Sequence, residues 1–473
     1  MASPWSLPGN VVLNTSMSKK LSISKRYTIN KNETAYKTIL LQGVRFIITV
    51  NDKGHIEVLE NQSLLIKNGI IVERGPAEAV GRELDPKTVD LIYDDSLKGG
   101  IVVTPGFINM HAHPPMYLLR STLTFAEDDL EEALAGMAAL EGKMNAEDYY
   151  LGALGDFTEE QKSGITTTLS HYGTFEGIER AAKEAGQEVI NCLSAASNSH
   201  PENTPALVEQ YLQQKGTFTT PGIALHRAAK ASPNILKQIK KLLAQFPTFF
   251  TLHVAETEEE VKQCLAIHGQ RPLGVLERYG LLGPQTIISH AVHLTQDEIE
   301  LIKKTGTVVA HLPTSNLLHR SGRFDYKTFC AVGADKQITL GTDSVVSKNR
   351  LDLLSEALAM KTLHQAHEIV SYEDLFRMLT SRPAELLGRK TGKIVPGYQA
   401  DIAFWKLRDR GLTPYDEDNP ATLISNMITH GGRGVRDLMI KGKFIISNRY
   451  HNLVDESKLL SKLQKAHMAL RKR

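Results

Sequence analysis

The chain has 473 residues in which 55 Lys and Arg stand against 53 Asp and Glu, a formal charge of +2 at pH 7. No long-range field is available to hold a polyanion, which excludes a nucleic-acid partner. No run of about 18 uncharged apolar residues and no signal-peptide core of about 7 to 15 apolar residues is present, so the sequence implies no membrane partner and points to the cytoplasm. Three cysteines, Cys192, Cys264 and Cys330, have no C-x-x-C spacing; they fit a reducing compartment and rule out a cysteine-based metal site.

Residues 1–35 are polar, rich in Ser, Asn and Lys and without period, and read as a flexible arm. From Thr38 the runs T-I-L-L-Q-G-V-R-F-I-I-T-V-N and S-L-L-I-K-N-G-I-I-V-E-R-G, broken by Asn-Gly, predict a small β domain over residues 36–97. Residues 98–390 then repeat one rhythm eight times, a short β-branched run followed by a helical pattern. The predicted strands start at Ile101, Ile165, Glu188, Gly222, Thr248, Thr286, Thr307 and Gln337. Eight such units close an α/β fold of the (β/α)8 TIM-like barrel type. An open doubly wound sheet would want a G-x-G-x-x-G turn after its first strand, and none is present. Short strands with Gly turns return over residues 391–449, so a small β-sandwich domain is predicted from both chain ends, with the barrel between them. Residues 450–473 show helical spacing and end in basic residues, which predicts a docked helix with a solvated basic face.

Of seventeen histidines, seven fall at or near the C-terminal ends of predicted strands: His111, His113, His171, His226, His253, His290 and His311. Asp343 closes the eighth. A barrel assembles its chemistry on that rim, so these side chains should converge. In H-A-H the two imidazoles are two residues apart on one strand, point to the same side and can share an ion. His253 and Asp343 would complete three nitrogens and one oxygen with room for water, a set that suits one divalent ion per chain, Zn2+ first and Fe2+ as the alternative. Glu256, three residues after His253, is placed either to act as general acid and base on that water or, with the T-E-E-E run behind it, as a helix N-terminal carboxylate. His290 reads as a second base or a fourth nitrogen ligand. His171 and His311 share the rim without a role that spacing assigns.

With these residues in place the chain resembles the amidohydrolase superfamily, in the mononuclear branch that holds adenosine-type, methylthioadenosine/S-adenosylhomocysteine and guanine deaminases and triazine hydrolases. The likeness rests on V-T-P-G-F-I-N-M-H-A-H, S-G-I-T-T-T, L-H-V-A-E-T-E-E-E-V, S-H-A-V-H-L, H-L-P-T-S-N, L-G-T-D-S-V-V-S-K-N-R-L-D and G-K-I-V-P-G-Y-Q-A-D-I-A. It implies that His111, His113, His253 and Asp343 hold one catalytic metal, that Glu256 moves protons to and from a heterocycle, and that His290 orients the hydrolytic water, with Glu256, His290 and Asp343 as the catalytic set. His226, Arg227, Asn316 and Arg320 become candidates for substrate contacts, the two arginines being equally readable as solvated rim residues. The fourth strand offers His226 rather than the carboxylated lysine of binuclear relatives. The activity implied is hydrolytic deamination of an aminated purine, pterin, pyrimidine or triazine, by a homo-oligomer, dimer or tetramer, acting on a small-molecule substrate. Alternatives on the same metal site are a cyclic amidase or a dehalogenating hydrolase; a non-catalytic assembly protein would not keep all four ligand positions filled. Two departures concern the substrate. A Pro-Tyr segment expected after His226 reads A-L-H-R-A-A-K-A-S, and a covering Trp is missing from F-A-E-D-D-L-E-E-A-L-A-G-M-A-A-L-E-G-K-M. Both suggest a free heterocycle at least as good a substrate as a nucleoside.

Overall fold

The computed structural model describes residues 36–82, 84–96, 99–122, 130–197, 199–348, 350–430 and 434–473. The arm expected over residues 1–35 lies outside them. Eight strands, Phe107–Ala112, Ile165–Tyr172, Glu188–Ser194, Thr220–Arg227, Phe250–Val254, Thr286–His290, Val308–His311 and Ile338–Leu340, pair in that order as one sheet. Every pairing along it is parallel, as the strand-helix alternation requires. A bridge between Ala112 and Asp343 brings its two ends together, giving the (β/α)8 barrel.

A second sheet of nine strands gathers both ends of the chain. Thr38–Val50 is its centre, pairing with Ile56–Lys67, Leu91–Asp94 and Ile101–Pro105, and the last of these pairs antiparallel with Ile402–Lys406 from the far end of the chain. The sequence reading ran the first barrel strand continuously from Ile101 to His113. The structure divides that run at Gly106, where the chain passes from one sheet to the other. A Cβ at Gly106 would overlap the Thr166 side chain, and its N–H donates to Asp401 at 2.9 Å, so only glycine permits the close approach there.

The helices follow their start signals. Asn145 and Asp148 form a capping box at the head of Ala146–Lys162, and Thr257 caps Glu258–His268. The last helix, Glu456–Leu470, buries Leu459, Leu463 and Leu470, and Leu463 approaches Gly155 of Ala146–Lys162. It is docked, as its spacing indicated. Among the described residues no helix is long and apolar enough to cross a membrane.

Candidate active site

The C-terminal rim of the barrel collects the histidines, and several residues there leave ordinary strand conformation. Ala255, His290, Ala291 and Asp343 take left-handed φ of 50°, 68°, 53° and 58°. Non-glycine residues held this way cost about 1–3 kcal/mol each and cluster where side chains must be aimed. His290 and Asp343 are thereby turned at their strand ends while staying almost wholly buried.

His111, His113 and His253 converge through their Nε2 atoms, 3.1 Å apart for His111 and His113 and 3.3 Å for His113 and His253. A tetrahedral ion with Zn–N bonds of about 2.0–2.1 Å spaces its ligands by about 3.3 Å. The Nδ1 atoms of His113 and His253 donate to the carbonyls of His171 and His226 at 2.6 and 2.9 Å, which fixes the tautomer and leaves each Nε2 with a lone pair. Burial first, and neighbouring imidazoles next, hold His111 and His253 well below the ordinary imidazole pKa. Neutral lone pairs that face one another across so short a gap are what a cation satisfies. Asp343 Oδ1 lies 3.4 Å from His113 Nε2 and 4.0 Å from His111 Nε2. Its carboxylate accepts from Ser315 Oγ at 2.5 Å and Ser344 N at 2.8 Å. Burial alone would raise the Asp343 pKa; the imidazoles of His113, His290 and His111 and the Ser315 hydroxyl outweigh it and hold the group ionised. The donor set therefore fits one divalent ion.

Glu256 is not the helix cap. Thr257 has that place, and Glu260 accepts the N–H groups of Ala255 and Glu256 at 3.1 and 2.8 Å. The Glu256 carboxylate instead lines the cavity: Oε2 accepts from Arg227 at 2.5 Å, and Oε1 lies 3.4 Å from Ser321 Oγ and 3.9 Å from His290 Nδ1. Burial would raise its pKa, but His290 and Arg227 bring it below the usual carboxylate value. His290 Nδ1 is 2.7 Å from Asn316 Oδ1, so its N–H is committed there and Nε2 is left as acceptor.

Of the residues proposed from sequence for substrate, His226 and Arg227 line the cavity, Arg227 with its guanidinium on Glu256. Asn316 is buried against His290, which makes it an orienting partner of that imidazole. Arg320 is exposed with φ 54° and lies off the cavity, while its neighbours His319 and Ser321 line it; a left-handed turn carries this side chain outward, which spacing alone could not foretell. His171 lines the cavity and stacks on His253 at 4.7 Å between ring centroids. His311 faces away, its Nε2 3.2 Å from His364 Nε2 and its ring on Phe324.

The cavity holds about 780 Å3 and continues from His113, His253 and Asp343 to Glu141, Tyr172 and His200, residues that the sequence reading did not single out. Tyr172 donates to Glu141 Oε1 at 2.5 Å, and the buried His200 has no partner at Nε2 among the described residues. One signal was available: a Cβ at Gly173, directly after the second barrel strand, would collide with the His200 ring, so the glycine marks a close approach.

A family model described as the amidohydrolase family matches residues 102–445. The chain is 30% identical over 430 residues to a 5-methylthioadenosine/S-adenosylhomocysteine deaminase of Pyrococcus abyssi, covering 88% of this chain and 98% of that one. It is 28% identical over 419 residues to a 5'-deoxyadenosine deaminase of Methanobrevibacter smithii, covering 85% and 92%. Among solved structures an adenosine deaminase from Xanthomonas campestris with bound zinc superposes with a TM-score of 0.81 at 23% identity, over 92% of this chain and 99% of that one.

Proposed function

The chain belongs to the amidohydrolase family, and from that premise we propose that it deaminates an adenosine-type purine nucleoside. It is a metal-dependent aminohydrolase acting on an aminated heterocycle and releasing ammonia. The observation that carries this reading is the convergence of three imidazole Nε2 atoms and the Asp343 carboxylate beside Glu256 in one cavity.

In this proposal His111, His113, His253 and Asp343 hold the ion, zinc in our reading, which supplies the Lewis acidity that makes hydroxide available near neutral pH. His290, oriented by Asn316, and Asp343 accept the proton of the attacking water. Glu256, ionised at rest, would take one proton from the attacking water and pass it to the ring nitrogen beside the amine-bearing carbon, which makes that carbon electrophilic. Arg227 keeps the Glu256 carboxylate directed into the cavity. The other water proton, held by His290 and Asp343, would pass to the departing amine, so that ammonia leaves and a carbonyl remains.

The volume of about 780 Å3 lies high in the range of small-molecule sites, about 300–1,000 Å3, and a bare purine would leave much of it unfilled. At the end away from the ion, Glu141 and His200 offer acceptors that a sugar hydroxyl could use. These features, with relatives named for nucleoside deaminases, weigh against the expectation that a free heterocycle serves as well, and we propose the nucleoside instead. The remaining assignments are also ours: residues 98–390 as the catalytic unit, a cytoplasmic dimer or tetramer, and zinc in preference to iron. Side-by-side kcat/KM for ammonia release from 5'-deoxyadenosine, methylthioadenosine, S-adenosylhomocysteine, adenine and guanine tests the substrate. A preference of about 100-fold for a nucleoside, nearly 3 kcal/mol of differential transition-state binding, is expected. Equal turnover of a free base overturns it, and release of a ring-opened acid or a halide in place of ammonia returns the chain to the amidase or dehalogenase readings.

A further inference from the structure

The barrel closes across a seam between its first and last strands, Phe107–Ala112 and Ile338–Leu340. Around the rest of the barrel neighbouring strands are joined by ladders, but at this seam the pairing is a single bridge, Ala112 with Asp343. The N–H groups of Thr342 and Asp343 both donate to the His111 carbonyl, at 3.2 and 3.0 Å. The metal ligands lie on opposite sides of this seam, His111 and His113 on one and Asp343 on the other. Whatever fixes the seam fixes their separation.

One side chain spans it. Asn109 Oδ1 accepts from Thr342 N at 3.0 Å and His111 N at 3.3 Å, and Asn109 Nδ2 donates to Thr342 Oγ1 at 2.7 Å. The same Nδ2 donates to Glu160 Oε1, and the other Glu160 oxygen accepts from Thr168 Oγ1 of the second strand. Glu160 is fully buried on the helix Ala146–Lys162, behind the strands and outside the cavity. Its neighbour Asp156 is also fully buried, with both carboxyl oxygens unpartnered among the described residues, and burial first, then Glu160, push its pKa well up. The Glu160 carboxylate faces the Asn109 amide with one oxygen and Thr168 Oγ1 with the other.

We propose that Glu160 and Asn109 are positioning residues that set the distance across the seam between His111 and Asp343, and so the tightness with which the site grips a divalent ion. The inference rests on the reading of His111, His113, His253 and Asp343 as the ligand set. Metal sites tolerate only about 0.2 Å of ligand displacement, and a rotation of the Asn109 amide moves Thr342, which is bonded to Asp343. The carboxylate has no access to substrate, so its influence would pass through the ligands alone.

The test is zinc affinity, read by competition with a chromogenic chelator on the full-length protein, with the melting temperature of the metal-free protein measured beside it. Asn109→Asp sets two carboxylates against each other and should raise the zinc Kd at least 10-fold, the scale on which partners behind metal ligands act. Adding Glu160→Gln exchanges carboxylate and amide, so donor again faces acceptor, and the double variant should return to within about threefold of the parent. A wild-type Kd in Asn109→Asp, or a double variant no tighter than the single one, overturns the proposal, as does a fall in metal-free melting temperature with zinc affinity unchanged. If Asn109→Asp does not fold, Glu160→Gln alone, which keeps shape and adds no charge, decides: weaker zinc binding supports the proposal and parental binding overturns it. Failure of the parent protein to bind zinc would instead sink the metal reading on which the inference stands.

Discussion

Glu256→Gln separates the roles open to this residue. The carboxylate contacts Arg227 at 2.5 Å through Oε2, while Oε1 lies 3.4 Å from Ser321 Oγ and 3.9 Å from His290 Nδ1; it is not among the three imidazoles that converge. Glutamine keeps the shape and can still face Arg227 with its amide oxygen and the Ser321 hydroxyl with its amide nitrogen, but it cannot carry a proton between water and a ring nitrogen. The loss expected is about 100- to 10,000-fold in kcat, or roughly 3 to 5 kcal/mol of transition-state stabilisation. Folding should change far less. Arg227 is partly exposed and keeps Glu260 at 3.9 Å, so its guanidinium is not left without a carboxylate or water when Glu256 loses its charge. Metal analysis, initial rates of ammonia release and a melting curve on the same preparations make the measurement. Loss of the ion in the variant would make Glu256 a ligand, and activity above a tenth of the parent would make it structural; either result refutes the reasoning. The lowered Glu256 pKa sets the sign of the pH dependence: the group is already ionised above the usual carboxylate value near 4.5, so it contributes no acid limb to kcat/KM between about pH 5 and 7.

As purified, the protein should carry about one divalent ion per chain, and His111→Ala or His113→Ala should lose both ion and activity; two ions per chain, each needed for turnover, would contradict the mononuclear set. Asn316→Leu removes the acceptor of His290 Nδ1 and should keep the ion while lowering kcat about 10-fold or more, the scale of orienting partners; an unchanged kcat would show that His290 needs no such fixing. The buried His364 and His451 have pKa values pushed down from 6.5 to about 4, mainly by burial. The unfolded chain therefore takes up their protons first, so stability is complete above pH 6.5 and falls as the pH drops toward 4, by on the order of 3 kcal/mol for each. Melting temperatures of the metal-free protein that stay flat from pH 7 to 4.5 would contradict this.

The legible part of the fold was the part written in local patterns. Period-two placement put His111 and His113 on one side of a strand, and repeated β-branched runs before helical patterns gave the barrel. The second sheet was legible as a class but not in its pairing, because Ile101–Pro105 meets Ile402–Lys406 across most of the chain and nothing local records that partner. The division at Gly106 had a cue in Pro-Gly, overridden by the continuous apolar run on both sides. In the site, residue types at strand ends brought His111, His113, His253 and Asp343 to one rim, whereas partners did not show. Asn316 faces His290 from the helix Pro313–Leu318, Arg227 engages Glu256 from a neighbouring strand, and Arg320 is turned out by one left-handed residue. Sequence spacing reports which strand a side chain leaves; it does not report what meets it there.

That limit has a structural reason in how the barrel is closed. The side chains proposed as ligands on the first, fifth and eighth strands would have to meet within tenths of an ångström, yet the sheet that carries them contains register irregularities at Phe107/Ile108, Asn109/Ala112 and Leu252/His253. Ladder hydrogen bonds taken one strand after another cannot hold such a tolerance around a whole barrel, since small offsets add at each pairing. The correction is made where the first strand meets the last, by the His111 carbonyl taking two N–H groups and by the Asn109 amide reaching Thr342. It is made again at single residues, where His290 and Asp343 accept left-handed φ so that their side chains are aimed and not merely nearby. The barrel's buried apolar surface holds the structure together strongly enough to sustain those local costs. A folded chain of this kind thus divides its labour: hydrophobic periodicity decides the architecture, and, in the role we propose for Asn109 and Glu160, a few buried amides and carboxylates would decide whether four ligand atoms close around one ion.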